Sequence, residues 1–215
     1  MTVLTGRRVT LRSLAVADFP AWQEVRRRND DWLAPWEPAR NPNLPDVVES
    51  AEAFAMRCSA RERERQLGTG FGFGIFVPEA AASRRADRFC GEINLSSVQR
   101  GPFQSAYVGY WIDQGQAGHG YMPEALVLVA RFAFEQVHLH RIQISIIPRN
   151  YRSRRVVEKL GFREEAYHAR YLHIDGAWRD HVGYALTTED VQGEGGLMAR
   201  WNRLRGMGKV SPERA

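Results

Sequence analysis

The residues with the clearest chemical potential run from Gly109 to Leu126: Gly109-Tyr110-Trp111-Ile112-Asp113-Gln114-Gly115-Gln116-Ala117-Gly118-His119-Gly120-Tyr121-Met122-Pro123-Glu124-Ala125-Leu126. Tyr107 to Ile112 are aromatic and β-branched, as a strand requires. Gly115, Gly118 and Gly120 come next, and Pro123 and Glu124 then fall where a first helical turn accepts proline and favours an acid. A loop of this kind aims backbone N–H groups and the positive end of a helix dipole at one spot, which is a seat for phosphate. The glycine order is G-x-x-G-x-G. It is not the G-x-G-x-x-G of a dinucleotide fold, whose ribose-binding acid about 20 residues on is also missing. Nor does it carry the Gly-Lys-Ser/Thr of a P-loop. Standing alone, the same stretch would serve equally as a tight turn into a buried helix.

The next forty residues of the chain support the phosphate reading. A helix over 121–137 leads to a strand from Arg141 to Ile146, and then to Pro148-Arg149-Asn150-Tyr151-Arg152-Ser153. Asn150 is a suitable N-cap, Val156, Val157 and Leu160 form one apolar stripe, and Gly161 ends the helix as a C-cap. This assembly resembles the GCN5-related N-acetyltransferases. Their motif is Gln/Arg-x-x-Gly-x-Gly/Ala, then, one strand later, Asn-x-x-Ser and a helix ending Leu-Gly-Phe; Gly118, Gly120, Asn150, Ser153 and Leu160-Gly161-Phe162 match it. The family's Gln/Arg position is Gly115 here, with Gln114 and Gln116 on either side.

The resemblance implies an α+β fold with a mixed, mostly antiparallel central sheet flanked by helices. It implies acetyl-CoA as cosubstrate and no metal. Pantetheine would lie along Tyr110, Trp111 and Ile112, and the phosphates would meet the backbone of Gln116, Ala117, Gly118, His119, Gly120, Tyr121 and Met122, with Asn150, Ser153 and Arg154 beside them. Arg152, Arg154 and Arg155 read either as phosphate contacts or as a solvated helix face. Further blocks lie outside the cofactor motif: Arg8-Val9-Thr10-Leu11-Arg12, Pro35-Trp36-Glu37-Pro38 and Asp175-Gly176-Ala177-Trp178-Arg179-Asp180-His181. Over about residues 7–190 these resemble the branch of the family that acetylates N-terminal residues of ribosomal proteins, so the implied partner is the N-terminal segment of a protein acceptor.

The reaction so implied is direct attack of an amine on a thioester. An α-amine has a pKa near 7.7–8.0, so roughly 10–20% is neutral at pH 7, and one modest carboxylate acting through water suffices. Glu92 is the candidate base, with an acid on a solvent face as the bland alternative. Related enzymes place a carboxylate just before the tyrosine of the late Tyr-Leu block, where this chain has Arg170. Ser153, or failing it Tyr151, is the candidate proton donor to the leaving thiolate; a serine there also serves as a helix-start residue. Leu33 and Trp36, with Trp32 and Phe54, read as acceptor-channel walls or as core. Two other functions compete: acetylation of a small free amine, and a ribosome- or RNA-associated assembly factor, which the Arg26-Arg27-Arg28 run permits.

The chain must supply elements to hold these groups. Its 215 residues carry a net charge of +5, suited to a polyanionic cosubstrate. No Pro/Gly/Ser-rich linker or repeat interrupts it, so one domain is expected over 1–190, with 191–215 a basic tail holding one short helix near Leu197–Arg205. No apolar run approaches the ~18–20 residues of a membrane span. Cys58 and Cys90 fit a reduced cytoplasmic protein, and six scattered histidines form no metal site. Monomer and dimer are both open. The expected order is a strand at 7–13, helices at 15–28 and 46–65, and strands at 71–77, 89–98 and 104–112. Helix 121–137, strand 141–147, helix 151–160 and strands 163–174 and 178–188 complete it.

Overall fold

In the computed structural model, which describes residues 2–39, 43–78, 87–193 and 195–206, eight strands form one sheet. In chain order the elements begin β1 (Val3–Thr5), β2 (Thr10–Arg12), α1 (Phe19–Arg28), α2 (Asp30–Leu33), α3 (Ala51–Leu67), β3 (Phe71–Pro78), β4 (Asp87–Gln99) and β5 (Ser105–Ile112). They continue α4 (Tyr121–Arg131), β6 (Arg141–Ile146), α5 (Tyr151–Leu160), β7 (Arg163–Ile174), β8 (Ala177–Thr187), α6 (Thr188–Val191) and α7 (Leu197–Gly206). The sheet order is β1-β2-β3-β4-β5-β6-β8-β7, antiparallel throughout except between β5 and β6. This is the mixed, mostly antiparallel α+β arrangement expected.

Strand alternation divides the interior in two. Ile93 and Leu95 of β4 join Ala125, Leu126 and Val129 of α4 in the larger core, which also takes Val157 and Leu160 of α5. Trp22 and Val25 of α1, Phe54 of α3, Phe76 and Phe89 form a smaller cluster. Glu92 and Asn94 alternate with Ile93 and Leu95, and so belong to the other side of the sheet, which α1 covers.

Some expected boundaries move. The strand expected at 7–13 covers only Thr10–Arg12, and a second short strand that was not expected, Val3–Thr5, precedes it across a turn closed by Gly6 N–H on the Val9 carbonyl at 2.8 Å. The second helix starts at Ala51 rather than near 46, because Ser50 caps it by accepting from the Ala53 amide at 3.1 Å. Helix 121–137 is regular only to Arg131. A wider π turn over 132–136 completes it, with Val137 N–H reaching the Phe132 carbonyl at 3.0 Å. Helix α2 and the tight turn Ala34–Trp36 were not expected.

The boundary at residue 190 is also corrected. Leu197 is fully buried and Trp201 is 8% exposed, and both belong to the larger core, so α7 is packed into the fold rather than hanging from it. Residues 207–215 of the expected tail lie outside the described residues.

Candidate active site

The parallel pair β5–β6 is joined only at Ser105, Ala106 and Tyr107 opposite Arg141, Ile142 and Gln143. Beyond that point the two strands diverge, leaving the far half of β5, Val108 to Ile112, unpaired on its β6 side. Tyr110 sits at this opening. Its hydroxyl lies 2.9 Å from Ser153 Oγ and donates to the Ser153 carbonyl at 3.3 Å. Burial pushes the Tyr110 phenol well above its ordinary range, against the pull of Ser153, so it stays protonated. Ser153 is held in turn by the N-cap: Asn150 Oδ1 accepts from the Ser153 amide at 3.1 Å.

The glycine loop enters the same opening. Asp113 fixes its start, accepting from Arg28 Nη2 at 2.6 Å, Asn29 Nδ2 at 2.9 Å and the Gly115 amide at 3.3 Å, while Asn29 Oδ1 accepts from the Gln114 amide at 2.8 Å. Gly118 and Gly120 then adopt φ of +85° and +80°, left-handed values that favour glycine. The amides of Gln116 and Ala117 donate to the carbonyls of Asp113 and Gln114. This corrects their expected role: they close the turn and are not free for phosphate. The open donors are displaced toward the start of α4, where Tyr121 and Met122 occupy first-turn positions without intrahelical acceptors and Pro123 has no N–H to leave unpaired.

Glu92 lies on the sheet face under α1 and is only 3% exposed. It accepts from Trp22 Nε1 at 2.7 Å and pairs with Arg57 Nη2. The solvent-face alternative is therefore excluded. Opposite it across the ladder stand Gly74 and Trp111, and opposite Asn94 stand Gly72 and Gly109. A side chain at Gly109 would meet nothing within 4 Å, so the sheet is bare there. Asn94 Oδ1 is buried with no hydrogen-bond partner.

A single cleft of about 1970 Å³ joins these parts. Its lining includes Glu92, Asn94 and Gly109 from the sheet face, Tyr110, Trp111 and Ile112 from β5, Gln116, Ala117, Gly118, Gly120, Tyr121 and Met122 from the loop, and Asn150, Tyr151 and Ser153 from α5. Leu33 and Trp36 also line it, as does Trp32, whose Nε1 donates to the Ile112 carbonyl at 3.2 Å. Phe54 does not: it is fully buried against Phe19 and Trp22. Arg152 lies over the Trp32 ring at 4.5 Å and Arg149 over the Trp36 ring at 5.4 Å.

Two expected cofactor contacts are not cleft residues. Arg154 turns away, donating to the Tyr184 hydroxyl at 2.8 Å and pairing with Glu158 and Glu164. The His119 ring stacks on Tyr121, and its carbonyl faces Arg8. Arg155 and Lys159 line the cleft where Arg154 does not. The residues that sequence reasoning missed are Trp22, Arg57 and Asn29, whose partners are dozens of residues distant, and Arg8. The Arg26-Arg27-Arg28 run, one of the features that permitted nucleic-acid binding, is paired with Glu37, Glu49 and Asp113 and is no free basic patch. Burial raises both thiols, Cys90 to about 12, which disfavours the thiolate form.

Comparison with known proteins agrees with this geometry. Residues 8–163 match the model of the acetyltransferase (GNAT) domain. The chain belongs to the GNAT acetyltransferase family. It is 37% identical over 189 residues to the [ribosomal protein uS5]-alanine N-acetyltransferase of Escherichia coli, covering 87% of this chain and 91% of that enzyme. The structure of Mycobacterium smegmatis RimJ in complex with CoA-disulfide superposes with a TM-score of 0.80 at 31% identity, covering 92% of this chain and 89% of that one. The ribosomal-protein-S5-alanine acetyltransferase of Vibrio fischeri gives 0.77 at 27% identity, covering 90% and 100%.

As a GNAT acetyltransferase the protein uses acetyl-CoA to acetylate an amine. The residues present fit that cosubstrate. The left-handed glycines and first-turn amides suit its pyrophosphate, the unpaired half of β5 suits the amides of pantetheine, and Arg149, Arg152, Arg155 and Lys159 line the rest of the cleft. Among the described residues, no group of three His, Cys, Asp or Glu side chains could hold a metal ion, and no helix is long and apolar enough to cross a membrane.

Proposed function

We propose that this enzyme acetylates the N-terminal α-amine of a ribosomal protein, with alanine as the preferred first residue. The observation that carries the reading is the continuity of the cleft: the glycine loop, the opening beside Tyr110 and the Glu92–Asn94 face share one space, as direct transfer between two bound substrates requires. Similarity to the E. coli uS5-alanine enzyme over most of both chains supports the acceptor class.

Acetyl-CoA supplies an activated acetyl group and a thiolate leaving group. This chain's residues handle the protons. Glu92 takes a proton from the attacking amine through water; each of its oxygens accepts one donor, from Trp22 or Arg57, and retains a second acceptor site. That modest help is enough for an α-amine of pKa near 7.7–8.0. Ser153 donates to the departing sulfur, and the Tyr110 hydroxyl, kept protonated and 2.9 Å from Ser153 Oγ, turns its one proton from the Ser153 carbonyl to Oγ as the serine proton leaves. Tyr151, with its ring exposed at the cleft, is the less suitable donor. Leu33 and Trp36 wall the acceptor side.

Following free thiol with acetyl-CoA and a peptide panel tests the reading. An N-terminal alanine peptide from a ribosomal protein should be the best acceptor, ahead of N-blocked peptides carrying internal lysine and ahead of polyamines. Preference for internal lysine or a free polyamine would overturn it.

A further inference from the structure

We propose that Arg8 is a positioning residue for the glycine loop: it pins two peptide planes so that their amides face the cleft, and thereby sets affinity for the pyrophosphate of acetyl-CoA. Arg8 lies just before β2, far in sequence from the loop, yet each of its three guanidinium nitrogens donates one hydrogen bond there. Nη1 donates to the His119 carbonyl at 2.9 Å, Nη2 to the Gly120 carbonyl at 3.2 Å and Nε to Glu124 Oε2 at 3.0 Å. Its backbone N–H donates to Glu124 Oε1 at 2.8 Å.

Peptide geometry turns these bonds into an orientation of the loop. In a trans peptide the C=O and N–H point in opposite directions, and no cis bond occurs among the described residues. The His119 carbonyl shares its plane with the Gly120 amide, and the Gly120 carbonyl shares its plane with the Tyr121 amide. Holding both carbonyls toward Arg8 turns both amides away from it. Gly120 and Tyr121 line the cleft and Arg8 does not, so the side opposite Arg8 is where phosphate enters.

A glycine at φ of +80° otherwise leaves these planes free to rotate. The fork removes that freedom before the ligand arrives, which is preorganisation. Glu124, 2% exposed on the first turn of α4, completes the device. Its carboxylate holds the guanidinium behind the loop, where it would otherwise be drawn to the phosphates. Lysine cannot replace this fork, because one ammonium does not present a planar set of donors to two carbonyls and a carboxylate.

The test compares two donors on one variant. Acetyl-pantetheine carries the thioester but lacks the pyrophosphate. Arg8→Lys should raise KM for acetyl-CoA about tenfold, the scale of one lost charge-assisted hydrogen bond, with kcat within about threefold. The ratio of kcat/KM for acetyl-CoA to that for acetyl-pantetheine should fall by the same factor. An unchanged ratio, whether both donors suffer equally or neither does, would overturn the proposal and leave Arg8 a structural residue. If Arg8→Lys does not fold, Glu124→Gln, which keeps the fork but removes its anchoring charge, is put through the same pair; an unchanged ratio there also overturns it. Wild-type turnover with both donors separates this outcome from an error in the acceptor assignment, which would show only in the peptide panel.

Discussion

Replacing Glu92 by glutamine separates what this carboxylate does for the fold from what it does for the reaction. Two donors converge on it, the Trp22 indole N–H at 2.7 Å and the Arg57 guanidinium. Glutamine has one carbonyl oxygen and one NH2, so it satisfies one donor and confronts the other with N–H groups. If the oxygen stays with Arg57, the buried Trp22 loses its acceptor. If it turns to Trp22, Arg57 loses its counter-charge, but its side chain is 24% exposed and water can compensate in part. The second arrangement is cheaper: Trp22 keeps its acceptor, and what is lost is a charge-assisted hydrogen bond from Arg57, a scale of about 1.5–3 kcal/mol that water makes good in part, so a loss of about 2 kcal/mol is expected. For a chain of 215 residues this is a fall of about 4–8 °C in Tm.

The catalytic consequence has a different signature. If Glu92 only assists removal of a proton from an amine that is already partly neutral, Glu92→Gln should slow acetylation strongly near pH 6.5 and recover most of the rate by about pH 9, above the amine pKa. Arg57→Gln is the control: it breaks the same ion pair and lowers Tm, but retains the carboxylate and should keep the wild-type shape of the pH profile. Calorimetry with pH–rate profiles of both variants decides the matter. A Glu92→Gln profile parallel to wild type, with only the Tm lowered, would refute the proton-transfer role and make Glu92 a scaffold for Trp22 and Arg57.

Ser153→Ala should cost about 10- to 100-fold in kcat, the usual scale of general acid help, and the loss should persist at high pH because raising pH supplies no proton to the sulfur. A Ser153→Ala rate that recovers at pH 9 would remove that role. Burial pushes the Asp113 carboxyl up, but Arg28, Asn29 and the Gly115 amide outweigh it and hold it below its ordinary value. Its folded pKa is therefore below the unfolded one: the stabilisation is complete above about pH 3.9 and is lost as pH falls through the folded value. Asp113→Asn should thus lower Tm near neutrality and show a smaller further loss below about pH 4 than wild type; equal acid losses would count against it. Trp201→Ala should destabilise by about 3 kcal/mol, as an aromatic removed from a core does. An unchanged Tm would mean that α7 is not part of the cooperative fold.

Much of this site was legible because its signals are local. Asn150 and Gly161 bracket a ten-residue helix whose ends, Tyr151 and Leu160, fall where those caps put them. The glycine loop declared itself through spacing that only a strained backbone needs. What stayed hidden is long-range. Nothing near Glu92 indicates that Trp22 and Arg57 would converge on it across 70 and 35 positions. Helix α2 is four residues long, too short for an apolar period to show. The outward turn of Arg154, by contrast, is a local property. At about 100° per residue, Arg152, Arg155 and Lys159 share one face of α5, while Arg154 lies roughly 160° from Arg152 on the far side. Helical period within the basic cluster separates the cleft arginines from the one bound to Tyr184 and Glu164.

Helix α1 explains why the acceptor face and the cofactor loop keep their separation. Near its start Trp22 grips Glu92 on the sheet; at its end Arg28 and the C-cap Asn29 grip Asp113 and the Gln114 amide at the head of the glycine loop. Six or seven residues of helix set the two grips about 10 Å apart along a rigid axis. Arg8 and Glu124 hold the far end of the loop from the opposite side of the cleft lining. The glycines give the loop the backbone conformations that phosphate demands, and would by themselves leave it mobile. Anchors at both ends remove that mobility without placing any side chain between the amides and their ligand. A loop built from glycine for access therefore depends on charged residues outside it for order, and these residues are invisible to a motif that records only the loop.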